Sequence, residues 1–147
     1  MIEKPRKPPT ILIAEDEDHL REALEEMLTE HGFEVVGAAK TGREAVDLAA
    51  AVEPDIVLMD YRMPELNGVA ATEAIKAARA ITIVVMFTAH DETSLSLEAA
   101  RAGVSAFLVK GCAPSHILRA LNSELERSGV SGFDPWESPQ GEASAGA

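Results

Sequence analysis

Five short apolar runs, each followed by a segment patterned as a helix, restrict this chain to very few folds. The first run, Thr10–Ala14, is apolar after its first residue and rich in β-branched side chains, which reads as a buried strand. Asp18 then offers a helix N-cap. Leu20, Ala23, Leu24, Met27 and Leu28 recur at helical spacing, and Gly32 supplies a stop. Glu34–Ala39 is the second strand. Thr41 with Glu44 three residues on predicts a capping box. Ala45, Leu48, Ala49 and Val52 form the stripe of the second helix, which Pro54 ends.

The pattern repeats three more times. Residues 55–60 form a third strand, followed by a loop over 61–67 with Pro64 in it and Gly68 behind it. Residues 69–79 are alanine-rich and helical, 82–88 a fourth strand, and 92–102 a helix that stops at Gly103. Ala106–Val109 is a fifth strand. Pro114 and Ser115 open a last helix with Ile117, Leu118, Leu121 and Leu125 on one face. Strands that are continuously apolar are buried on both faces. Joined by helices, they imply an α/β protein: a doubly wound, five-stranded parallel sheet with right-handed crossovers and helices on both sides.

Length and charge bound the rest. At 147 residues the chain holds one ordinary domain, expected over residues 10–128. A basic, proline-rich extension (1–9, net +2) precedes it. An acidic tail (129–147, net −3) follows, rich in Gly, Ser and Pro, and reads as disordered. Phe133 and Trp136 are its only large apolar groups and offer the alternative of docking on the domain or a partner. The net charge of −12 argues against direct binding to nucleic acid or to an anionic membrane. No apolar run approaches the roughly 20 residues of a membrane span. The single cysteine, Cys112, excludes an internal disulfide, and its expected role is that of a small loop residue rather than a redox group. A soluble, cytoplasmic protein is expected.

Eight acids lie between Glu15 and Glu30, relieved only by Arg21. Glu22, Glu25, Glu26 and Glu30 read as a solvated helix face. Glu15, Asp16, Glu17 and Asp18 instead crowd the end of the first strand.

Ligands of doubly wound sheets bind at the carboxyl ends of the strands. There the chain places Glu15 and Asp16 after the first strand, Asp60 at the end of the third, Thr88 at the end of the fourth, and Lys110 after the fifth. Neither a Gly-x-Gly-x-x-Gly turn nor a nucleotide-binding Gly-x-x-x-x-Gly-Lys loop is present, which disfavours the usual dinucleotide and NTP sites. Crowded carboxylates require a cation, and hard oxygen donors select Mg²⁺ or Mn²⁺. Asp60 is the best-placed nucleophile, since carboxylates form acyl phosphates. Lys110 and the Thr88 hydroxyl could then neutralise and orient phosphoryl oxygens. His19, His31 and His116 share no ligand spacing, so zinc is not expected.

The stretches Ile11-Leu-Ile-Ala-Glu-Asp-Glu17, Asp55-Ile-Val-Leu-Met-Asp-Tyr-Arg-Met-Pro64 with Asn67-Gly68, Val85-Met-Phe-Thr-Ala89 and Gly103-Val-Ser-Ala-Phe-Leu-Val-Lys110 resemble the receiver domain of two-component response regulators. The resemblance covers about residues 10–127. It implies that Asp60 accepts phosphate from a phosphohistidine of a sensor histidine kinase. It implies that Asp16, Asp60 and the Arg62 backbone carbonyl ligate Mg²⁺, with Glu15 acting through water. Thr88, Ala89 and Lys110 would bind the phosphoryl group. Thr88 and Phe107 would couple its arrival to the outer face of the fourth helix, fifth strand and fifth helix. Arg62 and His90 would modulate phosphoryl lifetime, or else be plain exposed loop residues. The implied partners are the kinase and a downstream protein or histidine phosphotransfer protein, with a homodimer as a further option.

Three positions depart from the family pattern. Glu15 replaces the commoner Asp. Phe107 replaces the frequent Tyr, so switching there would rest on packing. Gly111 follows Lys110 where many receivers carry a cis-proline. The Lys-Gly pair resembles receivers that carry a helix-turn-helix output domain of the LuxR type, so the chain is expected to be a stand-alone receiver or part of a longer protein. Two rival readings remain: a docking module that works without phosphorylation, and a metal-dependent phosphatase with an aspartyl intermediate. Against the latter, the place two residues after Asp60 holds Arg62 rather than an acid.

Overall fold

The computed structural model describes residues 7–89 and 93–129. His90, the tail aromatics and most of the N-terminal extension lie outside the described residues. Five strands, β1 (Thr10–Ala14), β2 (Glu34–Ala39), β3 (Ile56–Met59), β4 (Ile83–Thr88) and β5 (Ala106–Val109), alternate with five helices. These are α1 (Asp18–Glu30), α2 (Gly42–Val52), α3 (Gly68–Ala78), α4 (Thr93–Ala102) and α5 (Pro114–Ser128). All pairings are parallel, in the order β2-β1-β3-β4-β5. The doubly wound sheet read from the alternation is the fold observed.

Side chains of a strand alternate between its two faces, so a strand apolar at every position must be covered twice. Ile11, Ile13, Ile56, Leu58, Val85 and Phe87 pack with Leu24 and Leu28 of α1 and Ile117, Leu118, Leu121 and Leu125 of α5. Their neighbours Leu12, Val57, Met59, Val84 and Met86 pack with α2, α3 and α4 on the other face. β3 and β4 are buried throughout, and β1 is buried from its second residue on. Residues of the edge strands β2 and β5 are largely half-buried, because an edge strand has a neighbour on one side only.

The strands are pinned at their entry end. Thr10 N–H donates to Asp55 Oδ2 and Asp55 N–H donates to Thr10 Oγ1, both at 2.9 Å. Asp55 therefore closes the loop before β3 rather than opening the strand.

Some helix starts follow the local capping rules and others depart from them. Thr41 caps α2, its hydroxyl accepting from Glu44 N–H at 3.0 Å. The Glu44 carboxylate reaches back to Lys40 N–H (2.8 Å), one residue before the cap, so the box is closed one place wide. In α1 the expected cap moves by one residue. Glu17 caps the helix by accepting from Leu20 N–H at 2.8 Å, and Asp18 is the first helical residue. The inward stripe shifts with it: Arg21, Leu24 and Leu28 are buried, whereas Ala23 is exposed. Gly32, with φ 92°, supplies the left-handed turn after α1 that an ordinary residue adopts at a cost. Asn67 caps α3 through Ala70 N–H, a cap the sequence reading did not assign. Among the described residues, no helix is long and apolar enough to cross a membrane.

Candidate functional site

Glu15, Asp16, Asp60, Thr88 and Lys110 stand at, or one or two residues past, a strand's carboxyl end, and the sheet's own hydrogen bonds carry the backbone there. Glu15 N–H donates to Ala39 O (2.9 Å), Asp60 N–H to Ala14 O (2.9 Å) and Lys110 N–H to Thr88 O (2.7 Å). Because β1, β3, β4 and β5 are consecutive and parallel in the sheet, residues far apart in sequence end at one edge of it.

Carboxylate oxygens of Glu15, Asp16 and Asp60 lie within 4.8 Å of one another. Glu15 and Asp60 are 1% and 3% exposed, whereas Asp16 is open to solvent. The Lys110 ammonium bridges the two buried acids, with Nζ 2.8 Å from Glu15 Oε1 and 3.1 Å from Asp60 Oδ2. It also stands 5.9 Å from the centre of the Phe87 ring. Glu15 Oε2 accepts from Glu17 N–H at 3.0 Å. The Asp60 carboxylate accepts from the Arg62 backbone N–H.

Thr88 is fully buried, and its hydroxyl has no hydrogen-bond partner among the described residues. A buried hydroxyl without a partner costs free energy, so its place beside the cluster suits a ligand oxygen. Three clustered carboxylates and an orphan hydroxyl form a hard-oxygen donor set, the kind that Mg²⁺ or Mn²⁺ takes together with phosphate.

The other predicted residues are placed less tightly. Ala89 is exposed. Arg62 is exposed, its guanidinium 5.9 Å from the centre of the Tyr61 ring. Phe107 is half-buried and packs against the core layer under α2, α3 and α4. Gly111 takes φ 96°, a conformation closed to proline. His31 ends α1, with Nδ1 2.9 Å from Met27 O, while His19 and His116 are exposed; none of the three joins the acidic cluster. Burial pushes the Cys112 thiol up, which keeps it in the unreactive thiol form.

Burial raises the Asp60 and Glu15 carboxyls above the usual carboxylate range, against the lowering pull of Lys110. Burial also works against the Lys110 ammonium, but its two carboxylate partners outweigh it and hold its pKa above the ordinary lysine value. The sign for stability follows. A carboxyl with a raised folded-state pKa binds its proton more tightly folded than unfolded. Stability therefore falls as pH rises through that pKa. Metal-free protein should lose stability from this pair as pH rises above the ordinary carboxylate range. Urea unfolding of wild type and Glu15→Gln from that range upward checks it. The variant's midpoint should vary less with pH; parallel curves would contradict the assignment.

Three residues escaped sequence reasoning. Arg21 is 7% exposed and donates from Nη1 to Glu15 O (3.0 Å) and from Nη2 to Asp18 Oδ1 (2.6 Å). Its helical spacing to Leu24 and Leu28 was the available signal. Gly68 and Gly42 allow backbones to touch. A Cβ on Gly68 would lie 2.2 Å from Asp60 O, and one on Gly42 would lie 1.9 Å from Leu66 O.

Comparison with known proteins agrees with this geometry. The model of the response regulator receiver domain matches residues 11–122. The chain belongs to the response regulator receiver domain family. The receiver is 42% identical over 120 residues to the transcriptional regulatory protein PdtaR of Mycobacterium tuberculosis, a match covering 82% of this chain and 58% of that protein. It is 38% identical over 112 residues to the chemotaxis protein CheY of Thermotoga maritima, covering 76% of this chain and 93% of CheY. Its fold matches CheY in the CheX-CheY-BeF3-Mg complex of Borrelia burgdorferi with a TM-score of 0.77, at 26% identity and over 80% of this chain and 90% of that one. This receiver is thus similar to response regulators of two-component signalling systems, and its acidic cluster is compatible with a phosphorylation site. It spans little more than half of PdtaR but nearly all of CheY.

Proposed function

We propose that residues 10–128 act as a signalling receiver that takes a phosphoryl group onto Asp60 from a phosphohistidine of a sensor histidine kinase. The observation that carries this reading is the Asp60 carboxylate itself. It is buried at a strand end, bonded to Lys110 at 3.1 Å, and within 4.8 Å of the carboxylates of Glu15 and Asp16. An Asp60 oxygen forms the new O–P bond as the P–N bond to the donor imidazole breaks. The imidazole keeps that electron pair and takes up a proton. Asp16, Asp60 and the Arg62 backbone carbonyl would hold Mg²⁺ (or Mn²⁺) directly and Glu15 would do so through water. Bound there, the ion would help to neutralise the phosphoryl oxygens.

Lys110 starts on the two acids it bridges and is positioned to follow charge onto the phosphoryl group. The Thr88 hydroxyl gains there the partner it lacks among the described residues, with Ala89 beside it. Drawing Thr88 toward the phosphoryl group opens room for Phe107. In this reading the half-buried ring turns inward and reshapes the α4-β5-α5 face for a downstream protein, a phosphotransfer histidine or a second copy. Arg62 and His90, two positions beyond Asp60 and Thr88 in the sequence, modulate how long the acyl phosphate survives. The setting is cytoplasmic, and the protein catalyses only its own phosphorylation and dephosphorylation.

Phosphoramidate offers the same P–N bond as phosphohistidine. Incubated with it and Mg²⁺, the protein should gain one phosphoryl group that hydroxylamine removes, as an acyl phosphate requires. A hydroxylamine-stable product, or none, contradicts the proposal; sustained turnover of a phosphate ester would favour the phosphatase instead. Mg²⁺ alone, at about ten times its dissociation constant, should stabilise the fold by about 1.4 kcal/mol. Chelation should return the melting temperature to its starting value, and an unmoved temperature would argue against a metal site.

A further inference from the structure

We propose that Arg21 is a positioning residue for the acidic cluster: its buried guanidinium ties the turn between β1 and α1 so that Glu15 and Asp16 face Asp60. One planar fork reaches both ends of that turn. Nη1 donates to the backbone carbonyl of Glu15 at 3.0 Å, and Nη2 donates to the Asp18 carboxylate at 2.6 Å. Between these anchors, Glu17 N–H bonds the Glu15 side chain and Glu17 caps α1. Glu15 is therefore held at its backbone carbonyl, at the start of the turn that also carries Asp16, by a side chain whose two bonds go to that carbonyl and to Asp18.

Helix energetics alone do not explain an arginine here. The position is in the second turn of α1, near an N-terminus where the helix dipole disfavours a cation. It lies on the inward stripe with Leu24 and Leu28 and is 7% exposed, a place where leucine or methionine would avoid the cost of burying a charge. Asp18, whose side chain is 65% exposed, is a partner it could meet at the surface without being buried. The bond that requires burial is the one to the Glu15 carbonyl.

The inference rests on the reading that this cluster binds a divalent cation, and charge gives it a sign that a rival explanation lacks. Arg21 is itself a cation near the site, so removing it should tighten metal binding if only through-space electrostatics matter. If it holds the turn, removal should weaken binding. The measurement is Mn²⁺ affinity without any phosphoryl donor, read by electron paramagnetic resonance of the free ion at a temperature where circular dichroism shows the protein folded. Arg21→Met, which keeps the length and apolar stem, should lose roughly tenfold in Mn²⁺ affinity, the usual consequence of removing an outer support of a metal site. Unchanged or tighter binding overturns the proposal, even if the melting temperature falls, because a merely structural role moves stability and not affinity.

Should Arg21→Met fail to fold, Arg21→Lys carries the test. It keeps the charge and loses the two-pronged fork. Weaker Mn²⁺ binding in it supports positioning, and wild-type affinity overturns it. A wild type that binds no Mn²⁺ overturns the divalent reading and this proposal together. A wild type that binds, beside variants that bind equally well, overturns this proposal alone.

Discussion

Asp60→Asn should take up no phosphoryl group from acetyl phosphate under conditions in which wild type takes up one, and it should at the same time be the more stable protein. The loss is all-or-none because an amide oxygen is a poor nucleophile and no other acid of the cluster stands at the end of β3. The gain in stability comes from the same burial that prepares the wild-type carboxylate. Asp60 is 3% exposed, and desolvation holds its carboxyl above the ordinary range despite the bond from Lys110. Its charge is thus disfavoured in the folded state. A neutral side chain of the same shape still accepts from Lys110 and avoids that penalty, a change that should raise stability at neutral pH. The advantage should shrink as pH falls through the raised Asp60 pKa, where wild type becomes neutral as well. Intact-mass measurement reads the first effect and urea unfolding at two pH values reads the second. Phosphoryl uptake at the wild-type level in the variant would remove Asp60 from its role.

Gly68→Ala should cost about 3 kcal/mol of stability and slow phosphoryl uptake together, as backbone collisions rank among the largest single-residue effects. The added Cβ would sit 2.2 Å from the carbonyl oxygen of Asp60 and 3.0 Å from Tyr61 Cα. No rotamer relieves a clash between a Cβ and a backbone. Either α3 backs away or the segment after β3 shifts. Gly68 N–H also bonds Tyr61 O at 2.8 Å, so the first course breaks a buried bond and the second moves the nucleophile's own peptide. A well-chosen comparison is Ala70→Gly, one turn position away on α3 with no such approach. It should lose only the roughly 1 kcal/mol of helix propensity. Thermal unfolding with an uptake time course separates the two. A Gly68→Ala protein that keeps wild-type stability would mean that the close approach is not what fixes glycine there.

How much of this was legible beforehand depends on the range over which each signal acts. The strands were read well because a strand covered on both faces is apolar at every position, and β3 and β4 advertise that in their own residues. The convergence of Glu15, Asp16, Asp60, Thr88 and Lys110 was also legible, since parallel connections send every strand's carboxyl end to one side. Details set by a competition among neighbouring residues were not. Asp18 and Glu17 both qualify as caps for α1; in the structure the Asp18 carboxylate pairs with Arg21 and Glu17 takes the cap. Gly42 and Gly68 owe their identity to backbones that approach from elsewhere in the chain, which no local pattern announces. Lys110 was read as a phosphoryl contact. In the structure it also neutralises Glu15, a bond that depends on where a glutamate's longer side chain can reach.

The central claim is that residues from four strand ends gather so that one of them is phosphorylated with the help of a divalent ion. Its most direct test is to expose the protein to acetyl phosphate in Mg²⁺ or in excess chelator, reduce the product with borohydride, and map the modified peptide. The account predicts a modification at Asp60 in Mg²⁺ that is lost in chelator. Modification at another residue, or at Asp60 to the same extent with the ion removed, would contradict it.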